Sequence, residues 1–196
     1  MMRSKILLTV LVTGFVACND AADTTADTND SLARDSINRM DNTRNDMEDT
    51  LKMRRDDATW VSDVLENNYA EMELAKQAQQ KTTNAEIKSL AAMLEKDHMA
   101  LINEAKNLAG KKNWTVATGE TSEATRDRQD MMDDDVNDYQ KAWLEKMEDS
   151  HEKSIKKFED GRDDVSDADL RAWINTTLPK LQAHHDRIKQ VQKNVI

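Results

Sequence analysis

The chain has one cysteine, one proline and four glycines in 196 residues, and aromatic residues make up only 4% of it. A lone cysteine, Cys18, excludes an internal disulfide framework. So few prolines and glycines leave long helices almost uninterrupted, and a chain this poor in aromatics, valine and isoleucine is not built for strands. Basic residues are in deficit, 28 against 38 acidic ones, for a net charge of −10. That balance excludes a nucleic-acid partner, because phosphate binding needs a basic face. Phosphate loops, nucleophile elbows and Cys-x-x-Cys pairs are all missing. No catalytic residue can be named, and an enzyme is the less expected class. A membrane-spanning apolar run is missing too. The apolar run from Ile6 to Val16, which carries no charge, has 11 residues, too few to cross a bilayer as a helix.

That stretch follows a short basic head, Arg3-Ser4-Lys5, and has the length of a signal-peptide core. It ends in Phe15-Val16-Ala17-Cys18, which resembles the lipobox of bacterial lipoproteins. Residues 1–17 are therefore expected to be a lipoprotein signal peptide, with Cys18 the acylated anchor. The membrane is then a partner through lipid, and the place is the cell envelope, on the periplasmic or surface face of the outer membrane. A plain secretory signal with a free thiol is the alternative. From Asn19 onward the chain is polar, rich in Asp and free of aromatics until Trp60. Residues 18–56 are expected to be a disordered acidic tether, because such a segment buries too little to offset its ordering entropy, with transient helix open to the more mixed charges of Arg34 to Arg55.

Residues 57–196 carry the fold signal. Asp56 or Asp57 is placed to cap a helix ending near Lys81, with Val61, Val64, Asn68, Glu71, Ala75 and Ala78 on one face. Asn84 caps a second, which Gly110 is expected to end. A third runs from Val136 to about Asp160 and stops at Gly161, and a fourth begins at Ser166 or Asp167 with Pro179 inside it. The expected class is all-α, a ferritin-like four-helix bundle with a long connection between the second and third helices.

Each apolar stripe is interrupted by polar character, and Glu71, His98, His151 and His184 fall one per helix. Glu95 stands three before His98, and Glu148 three before His151, so each pair shares a helix face. These four are the candidate ligands of a metal, with Glu95, Asp97, Glu148 and Asp149 as outer partners, and a small ligand in the bundle interior is the other occupant they could serve. Imidazoles with few carboxylates suit Zn, Cu, Ni or Fe better than Mg or Ca. The competing reading makes the four ordinary hydrogen-bonded core residues of an interaction module in the envelope. Counting about 1.5 Å per residue from each turn sets His151 and His184 about 10 Å apart in depth. This spacing predicts a tighter group of Glu71, His98 and His151, with His184 nearer the rim.

The segments Glu71-Met-Glu-Leu-Ala-Lys-Gln-Ala78, Leu94-Glu-Lys-Asp-His98, Glu148-Asp-Ser-His151-Glu and Thr177-Leu-Pro-Lys-Leu-Gln-Ala-His184 resemble motifs of the domain of unknown function 4142 family, bacterial envelope proteins with a ferritin-like helical bundle. The resemblance spans about Ala58 to Gln192. It implies Glu71, Asp97, His98, His151, Leu178, Pro179 and His184 as motif positions. Where the family opens its third helix with Phe-Asp-x-x-Tyr, this chain has Tyr139-Gln-Lys-Ala-Trp143, so Gln140 replaces the family's Asp. The family has no settled activity, so the resemblance implies fold and compartment without a reaction.

Overall fold

The computed structural model describes residues 26–195, with side chains over 34–195. The signal peptide, Cys18 and the tether up to residue 25 lie outside the described residues. Every described regular element is helical: α1 (Ala26–Lys81), α2 (Ala85–Lys112), α3 (Ser122–Asp130), a 3-10 turn (Met131–Asp133), α4 (Val136–Asp164) and α5 (Ala168–Val195).

The chain divides into two compact units, Met1–Asn45 and Asp46–Ile196, and α1 belongs to both. Within the stretch 18–56 expected to be a disordered tether, the described residues 26–56 are helical. The physical reason is partly the absence already noted. No proline or glycine lies between Asn19 and Ala109, so nothing stops a helix from propagating backward once its later turns are fixed. Local charge pairs add to this. Asp35 pairs with Arg39 at 2.7 Å, Asp41 with Arg44, and Lys52 with Asp56 at 2.8 Å. Each such exposed pair contributes only a few tenths of a kcal/mol.

In the second unit, Asp57 does not cap α1. It sits inside that helix, 3% exposed, and its carboxylate accepts from Ser166 N at 2.9 Å, Ser166 Oγ at 2.6 Å and Asp167 N at 2.9 Å. It thereby holds the α4–α5 turn. Asp167 itself caps α5, accepting from Asp169 N and Leu170 N. Asn84 caps α2 as its position suggests. Gly110 does not end α2, which runs on to Lys112 and closes on Asn113 in the left-handed conformation, φ 55°. Gly161 does not end α4 either. A Cβ there would meet the Trp60 indole at 2.7 Å, so the glycine admits the ring of α1 rather than breaking the helix. Gln140 serves the α1–α2 turn, accepting from the Thr82 hydroxyl and from Asn84 N at 3.2 Å.

The apolar interior forms two clusters. One contains Val61, Val64 and Leu65 of α1, Leu101 and Ala105 of α2, Phe158 of α4, and Leu170, Ile174 and Leu181 of α5. The other contains Ala75 and Ala78 of α1, Ile87, Leu90 and Leu94 of α2, Tyr139, Trp143 and Met147 of α4, and Ile188 and Val191 of α5. Chain order through the clusters gives helix direction. Helices α1 and α5 run from the first cluster to the second, and α2 and α4 run from the second to the first. The segment from Asn113 to Asp135 therefore returns the chain so that α4 repeats the direction of α2. In α2, α4 and α5 the break between clusters falls at a buried histidine, His98, His151 and His184, and in α1 the buried Asn68 and Glu71 lie at the end of the first cluster, just before Met72.

Candidate metal centre

The polar layer brings three imidazoles together. Ring centroids of His98 and His151 are 5.3 Å apart, of His98 and His184 5.4 Å, and of His151 and His184 5.6 Å. The 10 Å depth gap expected between His151 and His184 is thus overturned. Much of it came from ending α4 at Gly161. With α4 ending at Asp164, His151 lies 13 residues from the turn and His184 lies 16 from Ala168, a difference of about 4.5 Å at 1.5 Å per residue.

The partners of each ring determine which nitrogen carries the proton. Asn68 Nδ2 donates to Val64 O at 2.8 Å, which turns Asn68 Oδ1 toward His98 Nδ1, also at 2.8 Å. An acceptor at that distance requires Nδ1–H, so the lone pair is on Nε2. His151 Nδ1 faces the Met147 carbonyl at 2.8 Å, which likewise leaves its Nε2 lone pair bare. His184 is reversed. Its Nε2 faces Asp97 Oδ2 at 3.1 Å, so the bare nitrogen is Nδ1. These three nitrogens, His98 Nε2, His151 Nε2 and His184 Nδ1, are buried and have no hydrogen-bond partner. One ligand nitrogen from each of the three residues lies within 4.8 Å of the others. Two metal–nitrogen bonds of about 2.0–2.1 Å span about 3.3–3.6 Å, so a modest contraction would seat one ion.

Glu71 stands outside this triangle. Its Oε2 is 3.3 Å from His98 Nδ1 and its Oε1 3.5 Å from His151 Nδ1, the protonated sides of both rings. Ser150 Oγ donates to Oε1 at 2.7 Å. Glu71 is thus placed as an orienting carboxylate rather than a fourth ligand, a role often seen behind metal-bound histidines.

Burial sets the charge states. Desolvation pushes His98 down to about 4, against the pull of Glu71. Burial also lowers His184, reinforced by His151 and opposed by Asp97. For Glu71, burial pushes upward, but the imidazoles of His151 and His98 and the Ser150 hydroxyl outweigh it, and the net direction is down. Burial thus favours the neutral ring at His98 and His184, while Glu71 stands on the Nδ1 side of His98 and His151.

Among the expected outer partners, Asp97 reaches the centre, but through His184 rather than its chain neighbour His98. Glu95 accepts from Gln79 at 2.7 Å, and Asp149 pairs with Lys153 at the surface. Glu148 joins Glu152 and His185 in a second, partly exposed group with Lys189 3.7 Å from Glu148. Asn68, Ser150 and the Met147 carbonyl complete the centre and were not anticipated. Asn68 stands on the α1 stripe with Glu71, and a second polar residue on that stripe was the one signal that pointed to it.

Residues 42–191 match the family described as Domain of unknown function (DUF4142). The chain belongs to this family. The DUF4142 region begins within the stretch expected to be tether, in keeping with its helical state, and contains every residue of the polar layer. A solved structure described as "CopM in the Cu(I)-bound form" has a similar fold, with TM-score 0.59, 14% identity, and coverage of 70% of this chain and 96% of that one. No curated protein matches the chain.

Proposed function

We propose that this DUF4142 protein binds one transition-metal ion through His98 Nε2, His151 Nε2 and His184 Nδ1. The observation that carries this reading is the convergence of three buried, unpartnered ring nitrogens. An unsatisfied buried acceptor costs about 1–3 kcal/mol, and three on neighbouring rings of one layer are hard to explain as packing. Each ring is held in its ligating tautomer by a partner on its other nitrogen, which is how metal-binding histidines are commonly oriented. Imidazole donors suit Cu, Zn, Ni or Fe. The Cu(I)-bound neighbour of similar fold adds weight to copper.

The proposed setting is the bacterial envelope, with Cys18 as lipid anchor and the domain a ferritin-like bundle. The helix directions and the long Asn113–Asp135 return support that architecture, since parallel second and third helices need such a crossover. The competing role, an interaction module with a structural polar layer, predicts no metal. Protein purified without a histidine tag and dialysed against each ion separates the two. One bound equivalent, lost in His98→Ala, His151→Ala and His184→Ala, supports the metal reading. A wild type that retains none of the four metals refutes it.

A further inference from the structure

A second set of donor atoms lies where α4 meets α5, apart from the three ring nitrogens of the buried layer. Glu148 and Glu152 of α4 and His185 of α5 each offer one ligand atom, and these atoms lie within 4.8 Å of one another. The helix period explains their place. Glu148 and Glu152 stand about 60° and about 100° around α4 from His151, both on the same side, and His185 stands about 100° around α5 from His184. The set is partly open to solvent: the side chain of His185 is 16% exposed, that of Glu148 25% and that of Glu152 59%.

The donors are close without being bonded to one another. His185 Nε2 is buried and has no hydrogen-bond partner. Glu152 Oε1 is 3.5 Å from it, and Lys189 Nζ is 3.7 Å from Glu148 Oε1. Surface ion pairs elsewhere on α4 close fully, Lys153 to Asp149 at 2.6 Å and Lys156 to Asp160 at 2.8 Å. A plain charge network would close in the same way. Glu148 and Glu152 are moreover like charges one turn apart, an arrangement that repels. A shared cation accounts for both features. Two metal–ligand bonds of about 2.0–2.2 Å at a tetrahedral angle hold their donor atoms about 3.3–3.6 Å apart, and the His185–Glu152 separation of 3.5 Å falls in that range. Lys189 is the cation such an ion would displace, and at 45% exposure its ammonium can turn into water.

We propose that Glu148, Glu152 and His185 form a second metal site, which takes a divalent first-row ion of the Zn(II) class, with water completing its coordination from the exposed Glu152 side. Two carboxylate oxygens and one imidazole are a harder donor set than three imidazoles, so this site discriminates against Cu(I), while the imidazole disfavours Mg(II). It fills whether or not the buried triad holds an ion.

The test uses the untagged full chain with Cys18→Ser, so that no thiol competes. Histidine side-chain 15N NMR is recorded during titration with Zn(II), and separately with Mg(II) and with anaerobic Cu(I). Zn(II) should shift His185 Nε2 to a saturating endpoint, whereas Mg(II) and Cu(I) should leave it in place. The Zn(II) affinity read at His185 should fall about tenfold or more in Glu148→Gln and in Glu152→Gln. Equilibrium dialysis should find one Zn(II) equivalent that His98→Ala leaves bound and the two glutamine substitutions together remove. A His185 signal unmoved by Zn(II), a drift without saturation, or unchanged affinity in both glutamine variants would overturn the site. A response at His185 with none at His98, His151 and His184 for any ion would support this site and remove the reading of the triad. A response at the triad alone would remove this site and leave that reading in place.

Discussion

Acidifying the metal-free protein should unfold it through His98. The folded state holds this imidazole near 4, whereas a free histidine titrates at about 6.5, because burial disfavours the charged ring. The unfolded chain therefore binds the proton first. Stability is unaffected above the unfolded value, falls as pH drops below about 6.5, and levels off below about 4. Between about pH 7.5 and about pH 5, linkage across these two values gives a loss of about 2 kcal/mol from His98 alone. His184, also lowered, adds in the same direction. Glu71, lowered from 4.5, contributes stability that is present above that value and is lost only as pH falls through its folded value, so pH 5 keeps the two effects apart. The assay is urea unfolding of the metal-free wild type and of His98→Gln at both pH values. The wild type should lose about 2 kcal/mol more than the variant, a large share of a typical domain's stability. Equal pH dependence in the two proteins would refute the claim that His98 is buried neutral.

Asp57→Ala should cost about 1–3 kcal/mol, because it strands donors of Ser166 and Asp167 at the α4–α5 turn, and chemical denaturation reads this directly. Gly161→Ala should also destabilise, by about 1–3 kcal/mol, despite alanine's better helix propensity, because its methyl meets Trp60, and a changed Trp60 emission should accompany the loss. Asn68→Ala should weaken metal affinity about 10–100-fold in a chelator competition, by freeing His98 Nδ1 from the amide that fixes its tautomer. Cys18→Ser should release the protein from membranes, and a variant that still pellets with them after a salt wash would exclude the lipid anchor.

The four long helices and their buried faces were readable because helical periodicity is a local property. Glu71, His98, His151 and His184 stood out for the same reason, each a polar residue on an apolar stripe, and all four are buried. What could not be read depends on contacts between helices. Gly161 looks like a helix stop until Trp60 is placed against it, and that misplaced end exaggerated the depth of His184 relative to His151. Asp57 looks like a helix cap until Ser166, 109 residues away, is brought to it. Asp97 adjoins His98 in the chain but faces α5, because consecutive helical residues point about 100° apart. The helical state of residues 26–56 was missed because composition reports burial well and reports poorly a helix that continues out of a packed neighbour.

The central claim is that three particular ring nitrogens receive the ion. Histidine side-chain 15N NMR during a titration with Cu(I) under anaerobic conditions tests it most directly. The chain has four histidines. In the metal-free protein, His98 and His151 should show Nδ1–H and His184 should show Nε2–H. One equivalent of Cu(I) should then shift His98 Nε2, His151 Nε2 and His184 Nδ1 together and leave His185 in place. Ring nitrogens that do not move, or a shift confined to His185, would contradict the proposed centre.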